Sequence, residues 1–288
     1  MNQPTMRNGL PDDLPDIAHA LRWARECVDV MDARVLLRHV LQCPASRLAA
    51  WPEQILDAED WARFRELVER RAAGEPVAYL TGEREFYGRN FMVTPAVLIP
   101  RPDTELLVEL ALAHVSGRRQ ARVLDMGTGS GALAVTLALE LDEADVTALD
   151  RSREALWVAM ANAARLGASV SFVQSDWFSA LGEERFELIV SNPPYIAAAD
   201  PHLEEGDLRF EPHTALAAGP AGLDDLAEIV AGAARYLEAG GWLLCEHGYD
   251  QAFAVRGLLA DAGFASITSW KDLAGIERVS GGRWLGRA

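Results

Sequence analysis

From residue 121 to residue 272 the chain alternates short apolar runs with helical patterns, and this alternation restricts the fold more than any other feature. Residues 122–126, 146–150, 170–175, 187–191 and 242–246 read as strands, and 132–141, 154–166, 223–237 and 252–262 as the helices among them. Residues 267–271 and 278–284 can pair as a closing hairpin. Repetition of this kind predicts a doubly wound, Rossmann-like α/β sheet with helices on both faces. Ligands of such sheets bind beyond the carboxyl ends of the strands, so the residues there are the first to read for function.

Four of those ends carry distinctive groups. Gly127-Thr128-Gly129-Ser130-Gly131 lies where a strand hands over to a helix, and glycines there let a backbone approach a ligand closely. The third glycine comes one position early for a dinucleotide fingerprint, and no Gly-Lys-Ser/Thr follows, which excludes a P-loop. Asp150 ends the next strand, where a carboxylate can accept hydrogen bonds from both hydroxyls of a ribose. Asp176-Trp177 closes the third strand, an acid and an aromatic suited to the edge and face of an adenine. Together these predict an adenosine ligand. No Lys or Arg stands ready to clamp a pyrophosphate, which favours S-adenosyl-L-methionine over a nucleotide.

The fourth end is Asn192-Pro193-Pro194-Tyr195. Asn192 and Pro193 each precede a proline, so both are held extended, and neither proline has an N–H. The Asn192 side-chain oxygen and a backbone carbonyl of the turn are then two acceptors in one stiff frame, enough to hold both hydrogens of a single –NH₂ group. Tyr195 offers a flat face on which a planar amide or base could stack.

The N-terminal third differs. Residues 14–73 read as a small helical bundle, with stripes at Leu14, Ile17, Ala18, Leu21 and Ala24, then at Val35, Leu36, Val40 and Leu41 behind an Asp32 cap, then at Trp61, Phe64, Leu67 and Val68. Gly88-Arg-Asn90 reads as the turn of a hairpin that bridges to the second domain, and Asp103 or Thr104 as the cap of a helix over 106–115. The expected organisation is a helical substrate-recognition domain over 1–83, a linking β-hairpin over 84–100 and a catalytic domain over 101–288. Cys27, Cys43 and Cys245 lack metal-ligand spacing and read as reduced core thiols, and no metal is expected. No apolar run could span a bilayer and the first residues, Met1-Asn-Gln-Pro-Thr-Met, show no secretory signal, so a cytoplasmic protein without membrane partners is expected.

Charge separates the function classes. Residues 91–288 carry 14 Arg and Lys271 against 28 Asp and Glu, a net of −13. Nucleic-acid binding draws most of its affinity from cationic contacts, so this part suits a basic protein partner better than a phosphate backbone.

Several runs together resemble the bacterial protein-(glutamine-N5) methyltransferases that modify peptide chain release factors, the PrmC/HemK family. They are Arg71-Ala-Ala-Gly-Glu-Pro-Val-Ala-Tyr-Leu-Thr-Gly82, Glu85-Phe-Tyr-Gly88, Leu98-Ile-Pro-Arg-Pro-Asp-Thr-Glu105, Asp125-Met-Gly-Thr-Gly-Ser-Gly131, Asn192-Pro-Pro-Tyr195 and Glu246-His-Gly248. The resemblance implies a class I S-adenosylmethionine-dependent methyltransferase fold behind an N-terminal domain that contacts the release factor. It implies that Asn192 and the Pro193 carbonyl hold the amide of a Gly-Gly-Gln loop while Tyr195 packs on the amide plane. It implies cofactor contacts at residues 127–131, Asp150, Asp176, Trp177 and Asn192, and substrate contacts through Pro194 as well. A monomer is the expected state. The competing readings are an N6-adenine or N2-guanine nucleic-acid methyltransferase using the same turn, and a non-catalytic adenosine-ligand-binding regulator.

Overall fold

A computed structural model describes residues 14–118 and 120–286. The chain divides into two compact units, Met1–Thr81 and Gly82–Ala288. The first is helical: α1 (Ile17–Ala24), α2 (Val30–Leu41), α3 (Ala45–Ala50), α4 (Ala58–Ala72) and α5 (Val77–Thr81). Its core draws on the expected stripes, with Leu37 added to them and Ala18, Val35 and Leu41 only half-buried. Ile17, Leu36, Leu37, Phe64 and Val68 are fully enclosed, and Trp23 meets Trp61 edge to face at 5.1 Å. Burying a side chain of this size stabilises by about 1.5–3 kcal/mol. The cap of α2 is Asp29, whose Oδ1 accepts from the Met31 N–H at 2.7 Å, and not Asp32. Asp32 lies inside the first turn, where it accepts from Arg71 Nε at 2.7 Å and joins α2 to α4. Cys27 is exposed, contrary to the expectation of a core thiol, while Cys245 is buried.

The second unit begins with a hairpin, β1 (Glu83–Phe86) and β2 (Arg89–Met92). Its turn is Tyr87-Gly88, one residue earlier than expected, because both residues take positive φ (50° and 73°), the conformation a two-residue turn needs to match strand twist. Phe86 and Phe91 join the core of this unit. Then come α6 (Glu105–Val115), β3 (Arg122–Met126), α7 (Ala132–Glu140), β4 (Asp145–Asp150), α8 (Arg153–Leu166), β5 (Ser171–Gln174), β6 (Phe186–Ser191), α9 (Asp224–Tyr236), β7 (Leu237–Glu246), α10 (Ala252–Asp261), β8 (Ala265–Lys271) and β9 (Glu277–Arg283).

These strands form one sheet of order β5-β4-β3-β6-β7-β9-β8, the first five parallel, with β9 antiparallel to both of its neighbours, β7 and β8. Alternate residues feed two cores. Val123, Leu188, Val190 and Leu244 face α6 and α7, while Leu124, Ile189, Leu243 and Cys245 face α9 and α10. The chain runs outward from β3 through β4 to β5 and then returns to the other side of β3 as β6. That reversal opens a crevice between the carboxyl ends of β3 and β6, where the sequence has placed its glycine loop and its Asn-Pro-Pro-Tyr turn.

Candidate active site

The glycine loop leaves β3 with Gly127, Gly129 and Gly131 all at positive φ. The N–H groups of Gly127 and Thr128 donate to Leu149 O at 2.9 and 2.8 Å, which ties the loop to the end of β4. Beneath it lies Asp125, fully buried, with Oδ2 accepting from Thr128 Oγ1 at 2.6 Å and from the Ala134 N–H at 3.2 Å. Its Oδ1 has no partner, and burial pushes the carboxyl up to about 7. Gly131 serves packing. A Cβ there would stand 3.0 Å from that of Ala159, so only glycine lets α7 start this close to α8.

Asp150 ends β4, with Oδ2 accepting from the Gly129 N–H at 2.9 Å and Oδ1 from the Ser152 N–H at 2.8 Å. These bonds orient the carboxyl and leave further lone pairs for a ligand. Burial raises its pKa, against the pull of both N–H donors. Asp225, at the start of α9, is raised by burial too, against the opposing pull of the Trp177 side chain. Trp177 is held at a positive φ of 43°, with its carbonyl accepting from Ser175 Oγ at 2.6 Å.

These groups line a cavity of about 320 Å³. Gly127, Thr128, Gly129, Ser130, Asp150, Asp176, Trp177, Asn192 and Pro194 face it, whereas Gly131, Pro193 and Tyr195 do not. The volume lies in the range of small-molecule sites. The donor set fits an adenosine-bearing cation: a ribose acceptor in Asp150, an indole face in Trp177 and further acids in Asp176 and Asp225. Of the two arginines on the wall, Arg101 is paired with Glu211 and Arg151 donates to the Thr214 carbonyl at 3.1 Å. Among the described residues no cluster of three or more His, Cys, Asp or Glu could hold a metal ion.

At the other end of the cavity, Asn192 Nδ2 donates to Thr104 Oγ1 at 3.1 Å, and Oδ1 has no partner among the described residues. Thr104 was expected to cap a helix. It follows a tight turn, Pro102–Thr104, already has helical backbone angles and makes no capping bond. Its hydroxyl oxygen serves Asn192 instead, and the nearby strand β7 ends at Glu246. Glu246 is 1% exposed, Tyr195 Oη donates to its Oε1 at 3.4 Å, and burial pushes its carboxyl up to about 7. Burial also raises the Tyr195 hydroxyl pKa. The turn is gripped from behind by Gln251, whose Nε2 donates to Tyr195 O at 2.9 Å and whose Oε1 accepts from the Gly248 N–H at 2.8 Å. Asp225 and Gln251 are structural residues that sequence reasoning did not single out, and Asp125 entered it only as the first residue of the glycine-loop run. A lone acid inside an apolar strand run is the signal that could have found Asp125.

Comparison with known proteins decides the family. The profile of the PrmC N-terminal domain matches residues 17–82 and that of the methyltransferase small domain residues 102–205. A release factor glutamine methyltransferase of Burkholderia pseudomallei is 54% identical over 266 residues, 90% of this chain and 93% of its own length. One from Bordetella pertussis is 53% identical over 88% of this chain and 94% of its own. The chain belongs to the release factor glutamine methyltransferase family. It is an S-adenosylmethionine-dependent methyltransferase. Solved structures agree on the fold. A methyltransferase from Pyrococcus furiosus superposes with TM-score 0.53 at 18% identity, covering 76% of this chain and 98% of that one. The T. thermophilus 16S rRNA methyltransferase in complex with AdoMet and guanosine gives 0.52 at 20% identity, covering 70% and 49%.

Proposed function

We propose that this enzyme methylates the side-chain amide nitrogen (N5) of the glutamine in the Gly-Gly-Gln loop of peptide chain release factors, in the cytoplasm, and does not act on nucleic acid. The observation that carries the reading is Asn192, tied through Nδ2 to Thr104 at one end of the cavity with Oδ1 left free. Family membership supplies the acceptor class.

Bound S-adenosylmethionine would supply an electrophilic methyl group. Asp150 would accept from its ribose hydroxyls, Asp176 and Trp177 would border its base, and Gly127, Thr128, Gly129 and Ser130 would wall the rest, while Gly131 shapes the loop from behind. Asn192 Oδ1 and the Pro193 carbonyl accept the two hydrogens of the glutamine amide. That fixes the nitrogen in place and favours its pyramidalisation, which frees a lone pair otherwise delocalised into the carbonyl. Pro194 closes the wall and Tyr195 backs the turn. The chain's contribution is positioning and exclusion of water.

Two features favour protein over nucleic acid. Residues 91–288 carry a net charge of −13, which repels a phosphate backbone. The helical unit exposes Met31, Trp51 and Ile55, apolar surface suited to the body of a protein substrate. A short Gly-Gly-Gln peptide should therefore be a much poorer substrate than the intact factor. The test offers labelled S-adenosylmethionine with release factor, its Gln→Ala loop variant, and duplex and single-stranded oligonucleotides. Label should enter the intact factor alone. Label in nucleic acid, or retained by the loop variant, would overturn the reading.

A further inference from the structure

His247 follows the end of β7 and lies outside the cavity, fully enclosed. Both of its ring nitrogens are engaged, Nδ1 with the Gly248 carbonyl at 2.9 Å and Nε2 with Ser280 Oγ at 2.8 Å. Ser280 and Ser269 face each other across the β8–β9 ladder with their hydroxyl oxygens 2.7 Å apart. Arg256 of α10 donates to Ser269 Oγ at 2.6 Å.

The two ends of this chain fix its direction. A carbonyl only accepts, so Nδ1 carries the ring hydrogen and Nε2 is left bare. Ser280 then donates to Nε2, and Ser269 donates to Ser280. Ser269 accepts in turn from Arg256, whose guanidinium only donates. A second ring hydrogen, on Nε2, would reverse the Ser280 link. It would also set a charge in an enclosed place where neither bonded partner is a carboxylate. Burial lowers the His247 pKa in the same sense.

Gly248 carries the direction onward. Its carbonyl is held by the ring, and its N–H donates to Gln251 Oε1 at 2.8 Å. The Gln251 –NH₂ therefore faces three carbonyl oxygens, of Tyr195 at 2.9 Å, Gly222 at 3.2 Å and Ala221 at 3.3 Å. Turned over, that amide would set oxygen against three oxygens and N–H against N–H. Gln251 has one orientation, and in it the –NH₂ holds the Tyr195 carbonyl.

We infer that His247 and Gln251 are positioning residues for methyl transfer: a one-way hydrogen-bond chain from Arg256 through Ser269, Ser280 and His247 fixes the backbone at Gly248, and through it the Gln251 amide that holds the Asn-Pro-Pro-Tyr turn in place. The inference rests on the methyl-transfer reading above. It gives the closing hairpin of the sheet a part in presenting Asn192 and the Pro193 carbonyl.

The test uses the full chain with intact release factor. His247→Leu fills space without a donor. His247→Asn is smaller but keeps an N–H where Nδ1 stood. A 1 Å displacement of reacting groups costs about a hundredfold, so kcat should fall by about tenfold to a hundredfold in His247→Leu. His247→Asn should recover most of that loss, the reverse of what packing alone would give. Ser269→Val and Ser269→Thr differ only by a hydroxyl, and the valine variant alone should be slower, by about threefold to tenfold. S-adenosylmethionine affinity and the KM for the factor should stay nearly unchanged in all four. A wild-type kcat in His247→Leu, an asparagine variant as slow as the leucine one, or equal rates for Ser269→Val and Ser269→Thr overturns the inference. So does a loss of S-adenosylmethionine affinity in step with kcat. Two nuclear magnetic resonance readouts need no acceptor. The His247 ring, identified by its loss in His247→Asn, should be neutral with its hydrogen on Nδ1 at neutral pH; a hydrogen on Nε2 overturns the direction of the chain. The Gln251 side-chain amide resonances should move in His247→Leu and much less in His247→Asn, and the opposite pattern overturns the chain. If the wild type labels no release factor, the acceptor assignment fails while these two readouts still decide the chain.

Discussion

Two loops cap neighbouring strands of the sheet, and a buried acid pushed up to about 7 lies beneath each: Asp125 under the glycine loop, Glu246 beside the Asn-Pro-Pro-Tyr turn. The loops are held by opposite means. The glycine loop is held by its own donors, aimed at its own strand and at the end of the adjacent β4. Thr128 reaches back three residues to Asp125, and the Gly127 and Thr128 N–H groups bond the end of β4. The turn has few donors of its own, because Pro193 and Pro194 have no N–H. It is gripped from outside, by Thr104 from 88 positions earlier and Gln251 from 56 positions after Tyr195. A loop that presents N–H groups can be self-supporting. A turn that must keep its carbonyls open for a substrate leaves its support to other elements.

Gly222→Ala should break the outside grip most severely. A Cβ at Gly222 would stand 2.2 Å from the Tyr195 carbonyl oxygen, on a backbone at φ +69°. The obstructing atom is backbone, so the turn itself must move. Strain and overpacking should together cost about 2–5 kcal/mol of stability. Displacing Asn192 by even 1 Å should slow methyl transfer by roughly a hundredfold. Turnover near wild type in Gly222→Ala would mean that the turn is self-supporting after all.

Asp150→Ala tests the self-supporting loop from its ligand side. It removes the proposed ribose acceptor, and S-adenosylmethionine affinity should weaken by roughly 1.5–3 kcal/mol. The Gly129 and Ser152 N–H groups lose their acceptor as well, so the ligand-free protein should also melt earlier. Unchanged affinity by calorimetric titration would remove Asp150 from the cofactor site.

Asp125 gives a smaller effect with a definite sign. Its folded pKa of about 7 lies above the ordinary 3.8. The protonated form therefore supports the fold at low pH, and that support is lost as pH rises through about 7. Asp125→Asn removes the titration and keeps an acceptor for Thr128. The variant should gain stability relative to wild type between about pH 5 and about pH 8. An equal gap at both pH values, measured by denaturant unfolding, would mean that Asp125 ionises freely in the folded protein.

The same division explains what could be read from sequence. The sheet, its closing hairpin, the glycine loop, Asp150 and the Asn192 turn follow from local pattern, since strand period and strand-end chemistry lie within a few residues of each other. Asp125 and Thr128 are local too, inside a motif already recognised. The partners of the turn are not. Thr104 reads as a helix cap until its hydroxyl oxygen is found accepting from Asn192, and nothing in the sequence ties Gly222 or Gln251 to Tyr195. α3 and α5, with 6 and 5 residues, are too short for a helical period to emerge. The hairpin turn falls one residue earlier than expected because a tyrosine adopts positive φ, which composition does not foretell.

The smallest expected effect asks which hydroxyl of the outside grip matters. Thr104 accepts from Asn192 and Tyr195 bears on Glu246, but Tyr195 Oη is 3.4 Å from Oε1, beyond the usual range for a strong O–H bond. Its ring is packed against the core facing α9 and α10 and does not line the cavity. Tyr195→Phe keeps the ring and should slow methyl transfer by less than about threefold, with little loss of stability, since a bond that long contributes at the low end of about 0.5–1.5 kcal/mol. Tyr195→Ala should cost far more, through lost burial and a loosened turn. The informative comparison is Tyr195→Phe against Thr104→Val in the same single-turnover assay. If the phenylalanine variant is as slow as the valine variant, the Tyr195 hydroxyl supports the turn as much as the Thr104 hydroxyl does. If it is fast, the ring only backs the turn, and the orientation of Asn192 depends on Thr104 alone.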